Sequence, residues 1–292
     1  MSRSFEKALI DTALNAGGSH KTQQERVATL RRFYRYLQDH NIQIKHLDHI
    51  KSKHIQGFIA ERKTQAGVGT LQNEMSHIRE VLRQGGRHQL ASSDLIGNQA
   101  LGIDKRSREG TKTACPRDKY QQAYTAAKAK NPRMAAVMQL QRTFGLRRQE
   151  AIRAGKSLKT WQKAIEQGHP TVRLSYGAKG GRPRDILILD RDQALLAVKE
   201  ALSVMQDGRL LPGELKEAKN DYSHAAAEAG LTGEHSTHSL RYAWAQDCFN
   251  ALQQQGYPKE EALALTSQYL GHGDGRGRWL KHVYLQGRVA DD

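Results

Sequence analysis

Thr237-His238-Ser239-Leu240-Arg241 opens a run whose spacing predicts a helix through Trp244 to about Leu252. A histidine and an arginine three residues apart lie on one face of a helix. At a helix N-terminus that face also carries unbonded backbone N–H groups and the positive end of the helix dipole. Imidazole, guanidinium and dipole together suit an anion, and a phosphate in particular. Such a pair is equally a buried histidine beside a solvated arginine, so its weight depends on what else in the chain converges on it.

The chain has 292 residues, enough for two domains that each bury a core. No stretch is apolar over the roughly 18 residues that a membrane span needs. Met1 to Lys7 lack an apolar core of signal-peptide length, and a soluble, cytoplasmic protein is expected. Cys115 and Cys248 are the only cysteines, too few for a disulfide framework or a thiolate metal cage. His235, His238, His272 and His282 lack a carboxylate at ligand spacing, so neither a metal nor any other cofactor is expected. The formal net charge of +16 predicts attraction to polyanions. Both the first 110 residues and the remainder carry more Lys and Arg than Asp and Glu, which fits two bodies gripping one polyanion better than a basic tail on a neutral enzyme.

Taken in order, the chain starts with a short helix near Phe5–Ala13, then one from Lys21 with Val27, Leu30, Phe33, Tyr34 and Leu37 at helical spacing. A helix over Lys53–Lys63 is followed by one capped by Thr70, with Leu71, Met75, Ile78, Val81 and Leu82 inward. Periodicity vanishes between Gln89 and Pro116, and Asp104 to Thr113 is polar and charged, which reads as a linker. The expected division is a helical domain over 1–103, a linker over 104–116 and a second domain over 117–292. In the latter, helices are expected at Arg117–Lys130, Pro132–Thr143, Arg148–Ala154, Asp192–Met205, Pro212–Glu228 and Lys259–Leu270. Strands are expected at Thr171–Tyr176 and Asp185–Leu189, joined by a glycine-rich turn. The fold class is therefore mainly α with a small β-hairpin, α+β.

Four further pieces line up with the opening stretch. Gly145-Leu146-Arg147 puts an arginine after a glycine turn at the head of a helix, with Glu150 one turn along. Lys179 sits among glycines at the hairpin tip, Leu270-Gly271-His272 ends a helix, and Tyr284 follows near the C-terminus. In this order the motifs Gly-Leu-Arg-x-x-Glu, a hairpin lysine, His-x-Leu-Arg, Leu-Gly-His and a late tyrosine resemble the tyrosine recombinase (phage integrase) family. They span residues 143–284, and the helical module before them looks like that family's core-binding domain in size and helicity.

The resemblance implies a core-binding domain and a catalytic domain closing as a C-shaped clamp on double-stranded DNA. It implies a site-specific recombinase or integrase, independent of metal and ATP, that acts as a homotetramer on paired sites and is a monomer or dimer without DNA. Tyr284 would attack a phosphodiester to leave a 3′-phosphotyrosyl link and a 5′-hydroxyl. Arg147 and Arg241 would clamp the non-bridging oxygens. By the same analogy His238 is the general base, His272 bonds the scissile phosphate, and Lys179 protonates the leaving oxygen, with Arg182 and Arg184 as competitors for that role. Glu150 would orient Arg147 rather than touch substrate. Tyr284 could instead belong to the core, with Tyr269 a rival by proximity. Two departures stand out: Tyr242 follows Arg241 where many members carry a histidine, and Tyr284 comes twelve positions after His272, an extra turn expected to hold the tyrosine away until assembly. A catalytically inactive DNA-binding protein of the same fold and a topoisomerase- or telomere-resolvase-like strand transferase are the competing readings.

Overall fold

The computed structural model describes residues 3–107, 110–178, 181–273 and 277–285. It separates into two compact units, Met1–Ser107 and Arg108–Asp292, each with its own hydrophobic core.

In the first unit, α1 (Arg3–Asn15), α2 (His20–Asp39), α3 (Ser52–Arg62) and α4 (Val68–Gln84) are followed by the single turn α5 (His88–Ala91). Phe5, Leu9, Leu30, Phe33, Leu37, Ile55, Phe58, Met75 and Ile78 are buried together, with the rings of Phe33 and Phe58 edge to face at 5.4 Å. Gly17 and Gly18, both at positive φ, turn the chain between α1 and α2. Buried Arg26 fastens that turn by donating to the carbonyls of Ala13 at 2.8 Å and Gly17 at 3.0 Å. Thr70 is not the cap of α4. The helix starts at Val68 with Gly67 as N-cap, whose carbonyl takes the amides of Thr70 and Leu71. Beyond α5 the chain stays folded without helical periodicity: a 3-10 turn at Asp94–Ile96 is capped by Ser93, and Ile96, Leu101 and Ile103 are buried.

The second unit contains α6 (Arg117–Lys130), α7 (Pro132–Thr143), α8 (Arg148–Ile152), α9 (Leu158–Glu166), β1 (Thr171–Leu174), β2 (Arg184–Leu187), α10 (Arg191–Val204), α11 (Leu215–Glu228), α12 (Ser239–Gln254), α13 (Lys259–Tyr269) and α14 (Gly277–Leu280). A π-helical turn over Lys281–Leu285 follows. Helices α7 and α12 are buried along most of their length and pack on each other. Asn131 starts α7 by accepting the amides of Arg133 and Met134, with Pro132 supplying a helical φ at the first position. Strands β1 and β2 form an antiparallel pair in which Val172 faces Ile186 and Leu174 faces Arg184.

Two features of this unit differ from expectation. Helix α9 is an addition to the expected elements, although Leu158, Trp161 and Ile165 recur at helical spacing and are fully buried. Strand β2 begins one residue early, at Arg184, and since alternate residues share a face, Arg184 joins Ile186 on the buried side. The late part of the expected linker is bound to this unit. Lys112 donates to the carbonyl of Gly233 at 2.7 Å, and the Cys115 amide donates to that of Ser239 at 3.3 Å.

Candidate active site

Glu150 sits at the centre of the site, 1% exposed at the third position of α8. Its carboxylate accepts the Arg147 backbone amide and the Arg147 Nη1, both at 2.8 Å. Arg184 Nη1 and Nη2 bond its two oxygens at 2.8 and 2.7 Å. Arg241 Nη1 lies 3.9 Å from Oε2. Burial works to raise the carboxyl pKa, but the Arg184 hydrogen bonds and the charges of Arg184, Arg241 and Arg147 outweigh it and hold the pKa at about 2. Arg147 is pulled below its ordinary value by burial and by repulsion from Arg241, against the pull of Glu150. Three guanidiniums thus gather around one carboxylate, leaving the cluster net positive and suited to an anion.

The turn between α7 and α8 brings the two arginine-bearing elements together. Gly145 has φ +59, and a Cβ there would collide with the Trp244 indole, so only glycine brings the turn this close to α12. Its carbonyl accepts Arg241 Nη1, while Arg241 Nη2 donates to the carbonyl of Leu270. Arg241 is completely buried.

Tyr284 completes the cluster. Its hydroxyl lies 3.3 Å from Arg241 Nε and 3.3 Å from His272 Nε2. Its own carbonyl is held by Gln246 Nε2 at 3.2 Å. Rings surround it: Tyr242 at a centroid distance of 4.3 Å, Trp279 at 5.5 Å, His272 at 5.6 Å and His238 at 6.3 Å. Tyr242 therefore takes a packing role beside the phenol, and burial and the nearby Tyr284 push its own pKa up to about 12. The expectation that the longer spacing holds Tyr284 away does not match this geometry. The chain from Gly277 folds back through α14 and the π-helical turn, which seats the phenol on Arg241.

His238 occupies the N-cap of α12, half-buried, without a side-chain capping bond. Burial first, then Arg241 and Arg147, lower its pKa to about 4, so the imidazole is neutral at pH 7. His272, rather than His238, is the imidazole within hydrogen-bonding distance of the phenol. The unbonded first-turn amides expected of this helix are occupied, since those of Ser239, Leu240 and Arg241 donate to the carbonyls of Ser236, Thr237 and His238. The positive character of the site therefore comes from side chains.

Lys179 lies outside the described residues. Of its rivals, Arg184 is committed elsewhere: besides Glu150 it donates from Nε to the Tyr269 carbonyl at 2.9 Å. A strand expected to start at Asp185 hides that burial. The signal in the sequence is the two-residue parity of Arg184 with Ile186. Tyr269, the rival nucleophile, contributes its carbonyl to Arg184. Among the described residues, no group of three or more His, Cys, Asp or Glu is placed to hold a metal ion, and no helix is long and apolar enough to cross a membrane.

Comparison with known proteins adds the family and the fold. An integrase family model matches residues 102–247, and one described as phage integrase, N-terminal, matches residues 1–91. Among solved structures, a lambda integrase dimer bound to a COC′ core site is similar with a TM-score of 0.67 at 16% identity, covering 99% of this chain and 79% of that one. A Tn1549 transposon integrase in complex with circular intermediate DNA is similar with a TM-score of 0.58 at 12% identity, covering 97% and 95%. At these identities the likeness is one of fold. No curated protein matches the sequence. His272 and Tyr284 fall beyond the residues matched by the integrase model, so their place in the site rests on the geometry above.

Proposed function

The chain belongs to the tyrosine recombinase (phage integrase) family, whose members carry out site-specific DNA recombination, and from that premise we propose that it cleaves and rejoins DNA through a 3′-phosphotyrosyl intermediate. One observation carries this reading: Arg147 and Arg241, on elements far apart in sequence, meet on a single carboxylate, and the Tyr284 phenol lies against Arg241.

The chemistry follows from these groups. The phosphodiester is bound by Arg147 and Arg241, whose guanidiniums stabilise the charge that builds on its non-bridging oxygens in the transition state. The Tyr284 oxygen attacks phosphorus, the bond to the 5′-oxygen breaks, and that oxygen leaves with a proton from Lys179. The phenolic proton passes to an imidazole. His238, neutral at pH 7, has the protonation state required of the base, and His272 is the imidazole already touching the phenol. Reversal by an incoming 5′-hydroxyl reseals the strand, and the phosphotyrosyl link stores the bond energy in between. Lambda integrase has been seen as a dimer and as a tetramer on DNA. We extend that mode to this chain: double-stranded DNA as substrate and a tetramer on two paired sites.

The test selects the target sequence as it runs. A pool of nicked duplexes of random sequence is incubated with the protein, and adducts surviving detergent are recovered and sequenced. Wild type should enrich a defined sequence bonded through Tyr284, and Tyr284→Phe should recover none. Equal recovery by the two proteins, or none by either while DNA is still bound, rejects the strand-transfer reading and leaves a DNA-binding protein of the same fold.

A further inference from the structure

We infer that Arg184 is a positioning residue for strand transfer, holding Glu150 by both oxygens and through it setting the guanidiniums of Arg147 and Arg241. The inference rests on the function proposed above and assigns a role to a residue outside its catalytic set.

Arg184 lies on the inward face of β2 beside Ile186 and opposite Leu174, and it is only 8% exposed. A charged side chain on that face is not tolerated without a partner. Arg184 has two partners on different elements. Its fork meets both oxygens of Glu150 on α8, and its Nε meets the Tyr269 carbonyl at the end of α13. The fork is filled by Glu150, so Arg184 acts through the carboxylate and not on substrate. A lysine could supply the charge but not the planar two-point grip.

The glycine of Leu270-Gly271-His272 supports the same assignment. Gly271 has φ +71, and a Cβ there would lie 2.8 Å from Arg184 Cδ. The chain thus bends over the Arg184 side chain at the residue between Leu270, whose carbonyl binds Arg241, and His272, which touches Tyr284. One side chain therefore ties β2, the head of α8 and the His272 turn together. These elements carry or adjoin Arg147, Arg241, His272 and Tyr284, and in sequence Arg184 follows Lys179 by five residues.

The test uses the full chain and the nicked DNA sequence recovered with wild type. Rates of covalent adduct formation between about pH 5 and 8, DNA affinity and melting temperature are compared for wild type, Arg184→Lys, Arg184→Met and Gly271→Ala. Arg184→Lys should slow adduct formation about 100-fold, the scale of a misplaced reacting group, while DNA affinity stays as in wild type. Arg184→Met removes the main influence holding the Glu150 pKa down, so its rate should gain a fall toward acid pH that wild type lacks. Gly271→Ala, pressing on Arg184 from the other side, should reproduce the loss seen with lysine. If Arg184→Met does not fold, Arg184→Lys and Gly271→Ala decide. A wild-type rate and pH profile in Arg184→Lys overturns the inference alone. So does a loss of rate that merely follows losses of melting temperature and DNA affinity. A wild type that forms no adduct overturns the function and this inference together.

Discussion

Glu150 keeps its charge where burial alone would neutralise it, because the arginines around it stabilise the ionised form more than burial destabilises it. Replacing it with glutamine leaves Arg184 buried against a neutral amide. Breaking a buried pair in this way costs about 3–5 kcal/mol, so Glu150→Gln should shift the denaturant midpoint sharply downward, and an unchanged midpoint would show that the carboxylate is not the anchor. Glu150, lowered from 4.5 to about 2, contributes stability that is complete above pH 4.5 and lost as pH falls toward 2. His238, lowered from 6.5 to about 4, contributes stability that is complete above pH 6.5 and lost as pH falls toward 4. His238→Asn should therefore flatten the loss of stability between about pH 6.5 and 5 relative to wild type, as measured by denaturant titration at each pH. At this scale the sequence was informative about which side chains gather in one place, since Arg147, Glu150, Arg241, His272 and Tyr284 stand together. It offered Arg184 only as a rival to Lys179 and not as the buried partner of Glu150, because a strand boundary misplaced by one residue hides which face a side chain takes.

Helix identities were legible wherever an apolar stripe repeats, as in α2 and α4. They were obscure where a helix is short or set by its neighbours. Helix α9 escaped because its three inward residues, Leu158, Trp161 and Ile165, fall in an otherwise polar stretch. The glycines make a sharper test of how elements approach one another. Alanine inside a helix normally stabilises by about 1 kcal/mol over glycine. At Gly57 in α3, however, a Cβ would run into the Tyr36 hydroxyl on α2. Gly57→Ala should therefore lower the melting temperature instead of raising it. A stabilised Gly57→Ala protein would mean that α2 and α3 do not pack this closely. Gly145→Ala meets both a positive φ and the Trp244 ring, and its loss of stability should exceed the roughly 1–2 kcal/mol of left-handed strain alone.

At the scale of the chain, each unit has its own hydrophobic core among the described residues. Residues 108–292 expressed alone should accordingly unfold in one cooperative transition seen by calorimetry, and a broad, non-cooperative trace would count against an independent second core. The net charge of +16 sets the expectation for DNA. Affinity should fall linearly on a log–log plot against salt with a slope of about −0.9 per phosphate neutralised, and a flat plot would remove the polyanion reading that composition alone supports. Charge and length could be read directly, whereas the seating of Tyr284 could not, because the spacing after His272 says nothing of how the chain folds back. In the proposed reaction that seating would matter after cleavage as well as before it. With only 2% of the tyrosine reached by solvent and rings on several sides, a phosphoester formed on this oxygen is sheltered from hydrolysis. On that proposal the broken strand would wait for its partner end, and a failed exchange would return the original duplex rather than a permanent nick.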